Sequence, residues 1–402
     1  MEPDIVLIPR DRDTIYSVGE TLVLTPHATP NPYGYLYPNP PDLQPSDMVR
    51  SEEEKDFSRF DFVFDPKNRP HHFDDRKQDL NDDKLHVQIL EAIPSNRGEG
   101  IFVGLSLQCR VTKTSMQQPS LRAGDSIFMK LYDPLFWWTG SLWDVPLKVT
   151  VQADMAFCDE VGAYSFLQQK GLTGFPHLAP EFFGSWTAAV QSTNPRFSDK
   201  LRHVGVLALE YIDGIQLDKL FIPMTGPILS TVKMYKATTT PASFDTDEDN
   251  RMEVMKKLIW ENMEQEFAGI THGDLHPRSV MVSMRHGDTI LDAPRVLLIG
   301  WRTSVIDSIS KDPYDPFALF SKLMHPFNRF NIIRLHDFLG WISPTWLGRK
   351  DAPRDSWQLH KWFFETFGTI IDENNPNFQA WPDFDIDKAK ELNEAFPDLM
   401  LT

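Results

Sequence analysis

His272-Gly273-Asp274-Leu275-His276-Pro277-Arg278-Ser279 is the stretch whose reading decides the fold. It follows a helix-period segment ending in Phe267-Ala268-Gly269 and precedes two apolar runs, Val280-Met281-Val282 and Val296-Leu297-Leu298-Ile299. A helix, a tight loop and a short hairpin are predicted in that order. An aspartate on such a loop is where phosphoryl-transfer chemistry places the group that orients a nucleophilic hydroxyl. The plainer reading is a polar turn at a helix end, with Gly273 present for its permissive backbone. The rest of the chain has to choose between them.

Composition narrows the classes first. A chain of 402 residues with 41% hydrophobic content can bury one large core or two moderate ones. The net charge of −17 and the absence of a long basic run argue against a phosphate-backbone partner, so no nucleic acid is expected. Cys109 and Cys158 are too few for a disulfide framework and fit a reducing compartment. Met1-Glu2-Pro3-Asp4 has neither the basic nor the apolar region of a secretory signal. No apolar run approaches the ~20 residues of a membrane span. The expectation is an intracellular chain, cytoplasmic or nuclear, with no membrane partner.

Residues 1–83 read as an irregular, Pro-rich and acidic segment, with Pro26 to Pro45 blocking regular structure. Within it, Leu22-Val23-Leu24 is an apolar patch, and Phe57 to Phe64 is a short aromatic patch that could dock as one strand. From Lys84 the texture becomes strand-like: Leu85 to Ile93, Ile101 to Arg110 and Ser126 to Tyr132 are strand candidates. Gly98 and Gly100 mark the turn between the first two. They give only G-x-G, so an ordinary hairpin competes with a phosphate-covering loop. Lys130 lies inside an apolar strand, where it either points to solvent or needs a partner. The helix predicted from Asp154 to Lys170 carries Glu160 on a stripe with Phe157, Val161, Tyr164 and Leu167. That carboxylate is either Lys130's partner or a solvated edge residue.

Further strands are predicted over Glu181 to Trp186 and Val204 to Ile212, the latter closing on Asp213-Gly214. Residues 225–250 read as an irregular connector. Met252, Met255, Ile259, Met263 and Phe267 then recur at helical spacing. Beyond Ile299 the candidates are helical: Pro316 to Met324, Ile332 to Gly340, Ser356 to Phe367 and Asp387 to Phe396.

This order of glycine turn, strand lysine, helix glutamate, strand, helix, H-G-D loop and hairpin resembles the protein-kinase-like superfamily, particularly fungal kinase-like proteins with an H-G-D-L-H-P-R-N type loop. The resemblance covers roughly residues 84–370. It implies an α+β, two-lobed fold: a mainly β N-lobe over 84–213, a mainly helical C-lobe over 214–375, and a tail over 376–402. It implies ATP as cofactor, with Lys130 on the α and β phosphates, Glu160 paired to it, and Gly98 and Gly100 near the nucleotide. Leu209 to Ile212 matches the hinge, so Glu210 and Ile212 would meet the adenine. Asp274 would be the catalytic aspartate.

The chain departs from that pattern where metal is held. Ser279 stands at the loop asparagine, and Gly300-Trp301-Arg302 stands at D-F-G. Neither matched position offers a carboxylate, which argues against Mg²⁺ and leaves no metal ligand predicted. Arg302 brings positive charge to that place, and Asp307 is a nearby substitute that no spacing requires. No A-P-E follows. The reading is therefore a pseudokinase acting by nucleotide or protein-partner binding. The alternative is an ATP-dependent phosphotransferase, on protein or small-molecule substrates, using Asp274 with an altered metal site.

Overall fold

The computed structural model describes residues 15–54, 56–72, 83–93, 104–115, 121–137, 147–223, 231–234, 242–312, 322–346, 357–368 and 378–379. Gly98 and Gly100, the segment 316–321 and the predicted helix Asp387 to Phe396 lie outside the described residues. The chain divides into two compact units: Met1–Phe166 with Glu181–Tyr211, and Leu167–Pro180 with Ile212–Thr402. Secondary structure is mixed α and β. No helix of the described residues is long and apolar enough to cross a membrane.

The first unit is built on a closed barrel. Its strands are β1 (Thr21–Pro26), β2 (Leu85–Ile93), β3 (Leu105–Thr114), β4 (Ser126–Tyr132), β5 (Phe182–Gln191) and β6 (Leu201–Glu210), ordered β1-β2-β3-β4-β6-β5. Every neighbouring pair is antiparallel, and β1 closes the ring between β2 and β5. Successive strand side chains point to opposite faces, so alternate residues fill the interior. Leu85, Val87 and Ile89 meet Leu107, Cys109 and Val111, then Ile127, Met129 and Leu131, in one buried cluster.

The expectation of an irregular stretch over residues 1–83 needs correction. Leu22 and Leu24 face that same core from β1, because a barrel removes the free edges an open sheet would leave. Phe57 to Phe64 is not a strand. The short helix α2 (Arg59–Val63) occupies it instead, and another short helix, α1 (Pro45–Met48), lies upstream. Ser58 caps α2 by accepting the Asp61 N–H at 3.1 Å. Phe60 and Phe64, four residues apart, lie on one helical face and stack with Phe197 at 5.6 and 4.9 Å. The prolines allow this course because the chain runs as turns between anchored short elements.

Helix α3 (Val149–Gln169) begins five residues earlier than predicted and is buried on most sides. Its sequence stripe accounts for one face only. The N-terminal segment covers another: a Cβ on Gly162 would come 2.6 Å from Pro32 Cγ, and Tyr33 Oη donates to Asp154 Oδ2 at 2.7 Å. Elsewhere in the unit, Asp133 is buried and accepts from Arg202 at 2.8 Å and from Tyr16 at 2.8 Å. A buried carboxylate needs such partners.

The second unit holds β7 (Ile215–Gln216), β8 (Thr231–Met234), β9 (Ala242–Asp245), α4 (Glu248–Phe267), β10 (Ile270–Thr271), β11 (Val280–His286), β12 (Thr289–Leu298), β13 (Val305–Ile306), β14 (Leu323–Met324), α5 (Pro326–Arg329), α6 (Trp357–Phe367) and β15 (Phe378–Gln379). The expectation of a mainly helical unit over 214–375 is corrected among the described residues. Only α4 and α6 are long helices there. Residues 231–234 and 242–245 pair antiparallel where an irregular connector was expected. Leu323–Met324 is a strand pairing with β15, and Ile332 to Gly340 is a run of turns around the short 3₁₀ helix His336–Phe338.

Helix α4 buries Met255, Ile259, Met263 and Glu266, so a carboxylate completes the apolar stripe while Phe267 stays exposed. On the same helix, burial pushes the Glu261 carboxyl up to about 7, against a smaller opposing pull from Lys257. A carboxyl raised on folding contributes stability below its unfolded pKa and loses it as pH rises through the folded one. Stability should thus fall between about pH 4.5 and pH 7 from this group, and Glu261→Gln should remove that part of the slope. Urea melts across the range test it; identical pH profiles for the two proteins would refute it.

Candidate functional site

Lys130 belongs to β4, between Met129 and Leu131, which point into the barrel. Strand alternation therefore sends Lys130 and Tyr132 together to the outer face, beneath α3. Glu160 comes down from α3 to meet both. Lys130 Nζ donates to Glu160 Oε2 at 2.5 Å, and Tyr132 Oη donates to the same oxygen at 2.6 Å. The lysine side chain is 17% exposed and the glutamate 2%. The reading of Lys130 as a solvent-facing residue and of Glu160 as a solvated edge is set aside by this pair. A carboxylate so buried is tolerable because it is both ion-paired and hydrogen-bonded. Tyr132 was not singled out from sequence. Its two-residue spacing from Lys130 on a strand was the available signal.

The H-G-D loop is held inside the second unit by backbone pairing on either side. β10 precedes it and pairs with β13, and β11 follows it and pairs with both β12 and β7. Gly273 has φ +78°, and a Cβ there would collide with the Thr303 carbonyl, so this position accepts glycine for two separate reasons. His272 is buried. Its Nδ1 accepts the Asp274 N–H at 3.2 Å and its Nε2 lies 3.1 Å from the Ile299 carbonyl, so the neutral ring with hydrogen on Nε2 satisfies both contacts. The ring also meets Trp301 edge-on at 4.6 Å.

Asp274 is held by its own loop. Arg278 Nη2 donates to Oδ1 at 2.7 Å and Ser279 Oγ donates to Oδ2 at 3.1 Å. The pair Asp274–Arg278 is about one-third exposed, 29% and 32%, so water screens it. The geometry gives Ser279 a definite task, since its hydroxyl is spent on Asp274. Arg278 was part of the quoted loop, but its bond to Asp274 was not anticipated. Its four-residue spacing across a 3₁₀ turn (Pro277–Ser279) brings the two together. His276 caps that turn by accepting the Arg278 N–H at 3.1 Å. Burial, then the Arg278 charge, lowers its pKa, so the ring is neutral near pH 7.

Gly300 sits in the left-handed region at φ +80° and opens the 3₁₀ turn Trp301–Thr303. Trp301 is buried and donates to the Leu298 carbonyl at 2.9 Å. Asp307 starts another short turn, with its backbone N–H on the Gly269 carbonyl at 3.0 Å. Glu210 ends β6, and Ile212 begins the second unit. The Glu210 N–H already donates to the Glu181 carbonyl at 2.9 Å, so that amide is committed within the first unit. The structure thus brings Lys130, Glu160 and Tyr132 together in one unit and Asp274, Arg278 and Ser279 together in the other.

No protein-family profile matches the chain, and no curated protein matches it. Among solved structures it is similar to the kinase domain of Mycobacterium tuberculosis PknI, at 13% identity and a TM-score of 0.26. That match covers 54% of this chain and 60% of the other, so this chain spans about three fifths of the domain it matches.

Proposed function

We propose that the two units are the lobes of a kinase-like fold and that the protein is a pseudokinase, binding ATP or a protein partner with metal-dependent phosphoryl transfer impaired. The observation that carries this reading is the state of Asp274. Both of its oxygens are engaged by Arg278 and Ser279, and Ser279 and Gly300 supply no carboxylate beside it. Phosphoryl transfer concentrates negative charge that metal ions normally neutralise, and Mg²⁺ is usually held by one or two carboxylates plus phosphates. Arg302 can meet a phosphate directly, since a guanidinium matches phosphate geometry.

A second reading is favoured by the Lys130–Glu160 pair, which is formed as an active phosphotransferase requires. It would act on a protein or small-molecule hydroxyl once Arg278 swings away from Asp274.

A thermal-shift titration separates the readings. ATP at ~100 times its dissociation constant should add about 2.7 kcal/mol of stability, with or without Mg²⁺ or Mn²⁺, and Lys130→Ala should abolish the gain. Absence of any ATP shift would leave only the partner-binding form of the proposal. Robust Mg²⁺-dependent turnover, abolished by Asp274→Ala, would replace it with the second reading.

A further inference from the structure

We propose that His72, Asp154 and Cys158 form a binding site for one Zn²⁺-like cation, joining the N-terminal segment to α3. Asp154 and Cys158 are four residues apart on α3 and so share a helix face, while His72 arrives from the turn after the short 3₁₀ helix Pro66–Asn68. His72 Nδ1 lies 3.0 Å from Asp154 Oδ2 and 3.3 Å from Cys158 Sγ, and the three donor atoms all lie within 4.8 Å of one another. Nothing in the proposed nucleotide or loop chemistry uses these residues.

Asp154 accepts from Tyr33 Oη at 2.7 Å and from the His72 backbone N–H at 3.4 Å, so it is the shared ring nitrogen and the sulfur that hydrogen bonding serves poorly. Both the carboxylate oxygen and the sulfur converge on the same ring nitrogen. If Nδ1 carries hydrogen, one N–H is divided between two acceptors. If it does not, its lone pair faces the carboxylate. A cation between them satisfies all three at once. A nucleophilic relay is excluded by the same geometry, because the acid and the thiol would have to use opposite ring nitrogens. Burial also pushes the Cys158 thiol well up, with Asp154 and Asp159 adding to the effect, as in an inert metal-free cysteine.

The donor set suits a borderline-soft ion. One thiolate, one carboxylate and one neutral imidazole balance a double positive charge, and S/N/O ligation at tetrahedral angles is Zn²⁺ chemistry. Zinc–ligand lengths place N and O about 3.4 Å apart and both N and S and O and S about 3.6 Å apart, so His72 parts from its two neighbours by about 0.3–0.4 Å while the Asp154 oxygen and the Cys158 sulfur, within 4.8 Å of each other, draw together. Asp154 and Cys158 are fully buried, and His72 is 20% exposed, which leaves an approach from its side. Tyr33 Oη, bonded to Asp154 Oδ2 at 2.7 Å, fixes the carboxylate, as hydrogen-bonded partners of metal ligands do. A water completes the coordination. Binding releases the Cys158 proton to solvent as the metal–sulfur bond forms.

Co²⁺ titration of the chelator-treated full chain is the test. Expected are one Co²⁺ per chain, a thiolate-to-cobalt absorption band, tetrahedral visible bands, and their loss on adding Zn²⁺. Cys158→Ala should remove the thiolate band, His72→Gln should weaken binding by roughly tenfold or more, and Cys109→Ala should change neither. Absence of a thiolate band in the native chain would overturn the site, as would the same band in His72→Gln at unchanged affinity. His72 is partly exposed, so that variant decides the matter should Cys158→Ala fail to fold.

Discussion

Glu266→Ala is expected to lower the unfolding free energy by about 3–5 kcal/mol, a large part of the 5–15 kcal/mol typical of a folded protein. Glu266 has a fully buried side chain on α4 and holds two arginines. Arg329 Nε donates to Oε2 at 2.7 Å, and Arg334 Nη2 donates to Oε1. Arg334 also donates to Asn262 Oδ1 at 3.3 Å and lies over the Phe330 ring at 4.5 Å. Alanine would leave two guanidinium groups, each about one-quarter exposed, beside a cavity with no counter-charge. Their partial contact with water puts the loss toward the lower end of the range. Glu266→Gln keeps the volume and one acceptor and should lose less. The urea midpoint is the measurement, and a change in free energy below about 1 kcal/mol for alanine would show that the arginines simply re-solvate.

The double substitution Gly300→Asp with Ser279→Asn should make nucleotide binding depend on Mg²⁺, where the native chain's should not. Removing a single charge-stabilising group from a reacting centre commonly costs about 10²–10³ in rate, and here two ligand positions are altered together. Native phosphoryl transfer should accordingly be undetectable or very slow. The backbone sets the difficulty of the repair. Gly300 has φ +80°, but a Cβ there meets nothing within 4 Å, and aspartate tolerates the left-handed region better than most residues. A strain of about 1–2 kcal/mol is expected, not a clash. Ser279→Asn also takes a hydroxyl away from Asp274 and so loosens the grip of the loop. Calorimetry with ATP, with and without Mg²⁺, reads the result. A double variant that still binds ATP identically in both conditions would remove the metal-ligand argument from the pseudokinase proposal.

Much of the fold was readable from local pattern. Strand alternation in Leu85 to Ile93 and Ser126 to Tyr132, the helical stripe of α4, and the punctuation of the H-G-D loop are properties of short windows, where periodicity reports one buried face. In the residues themselves the pairing of Lys130 with Glu160 showed as two anomalies, a cation in an apolar strand and an anion on an apolar stripe, and the resemblance implied that they meet. Both are costly alone, and that cost is the physical reason to expect them to meet.

Tertiary structure decided the rest. Leu22 and Leu24 close a barrel with partners more than sixty residues away, and no local signal carries that pairing. The segment around Tyr33 and His72 buries a side of α3 that periodicity alone leaves to solvent. Arg278 and Ser279 converge on Asp274 because a tight turn reverses the chain, which decides how the aspartate is occupied. Residue types and periods determined which chemistry the chain carries. Closure of the barrel and of the loop decided which of those groups meet, because burial makes each unpaired charge too costly to leave where sequence alone would place it.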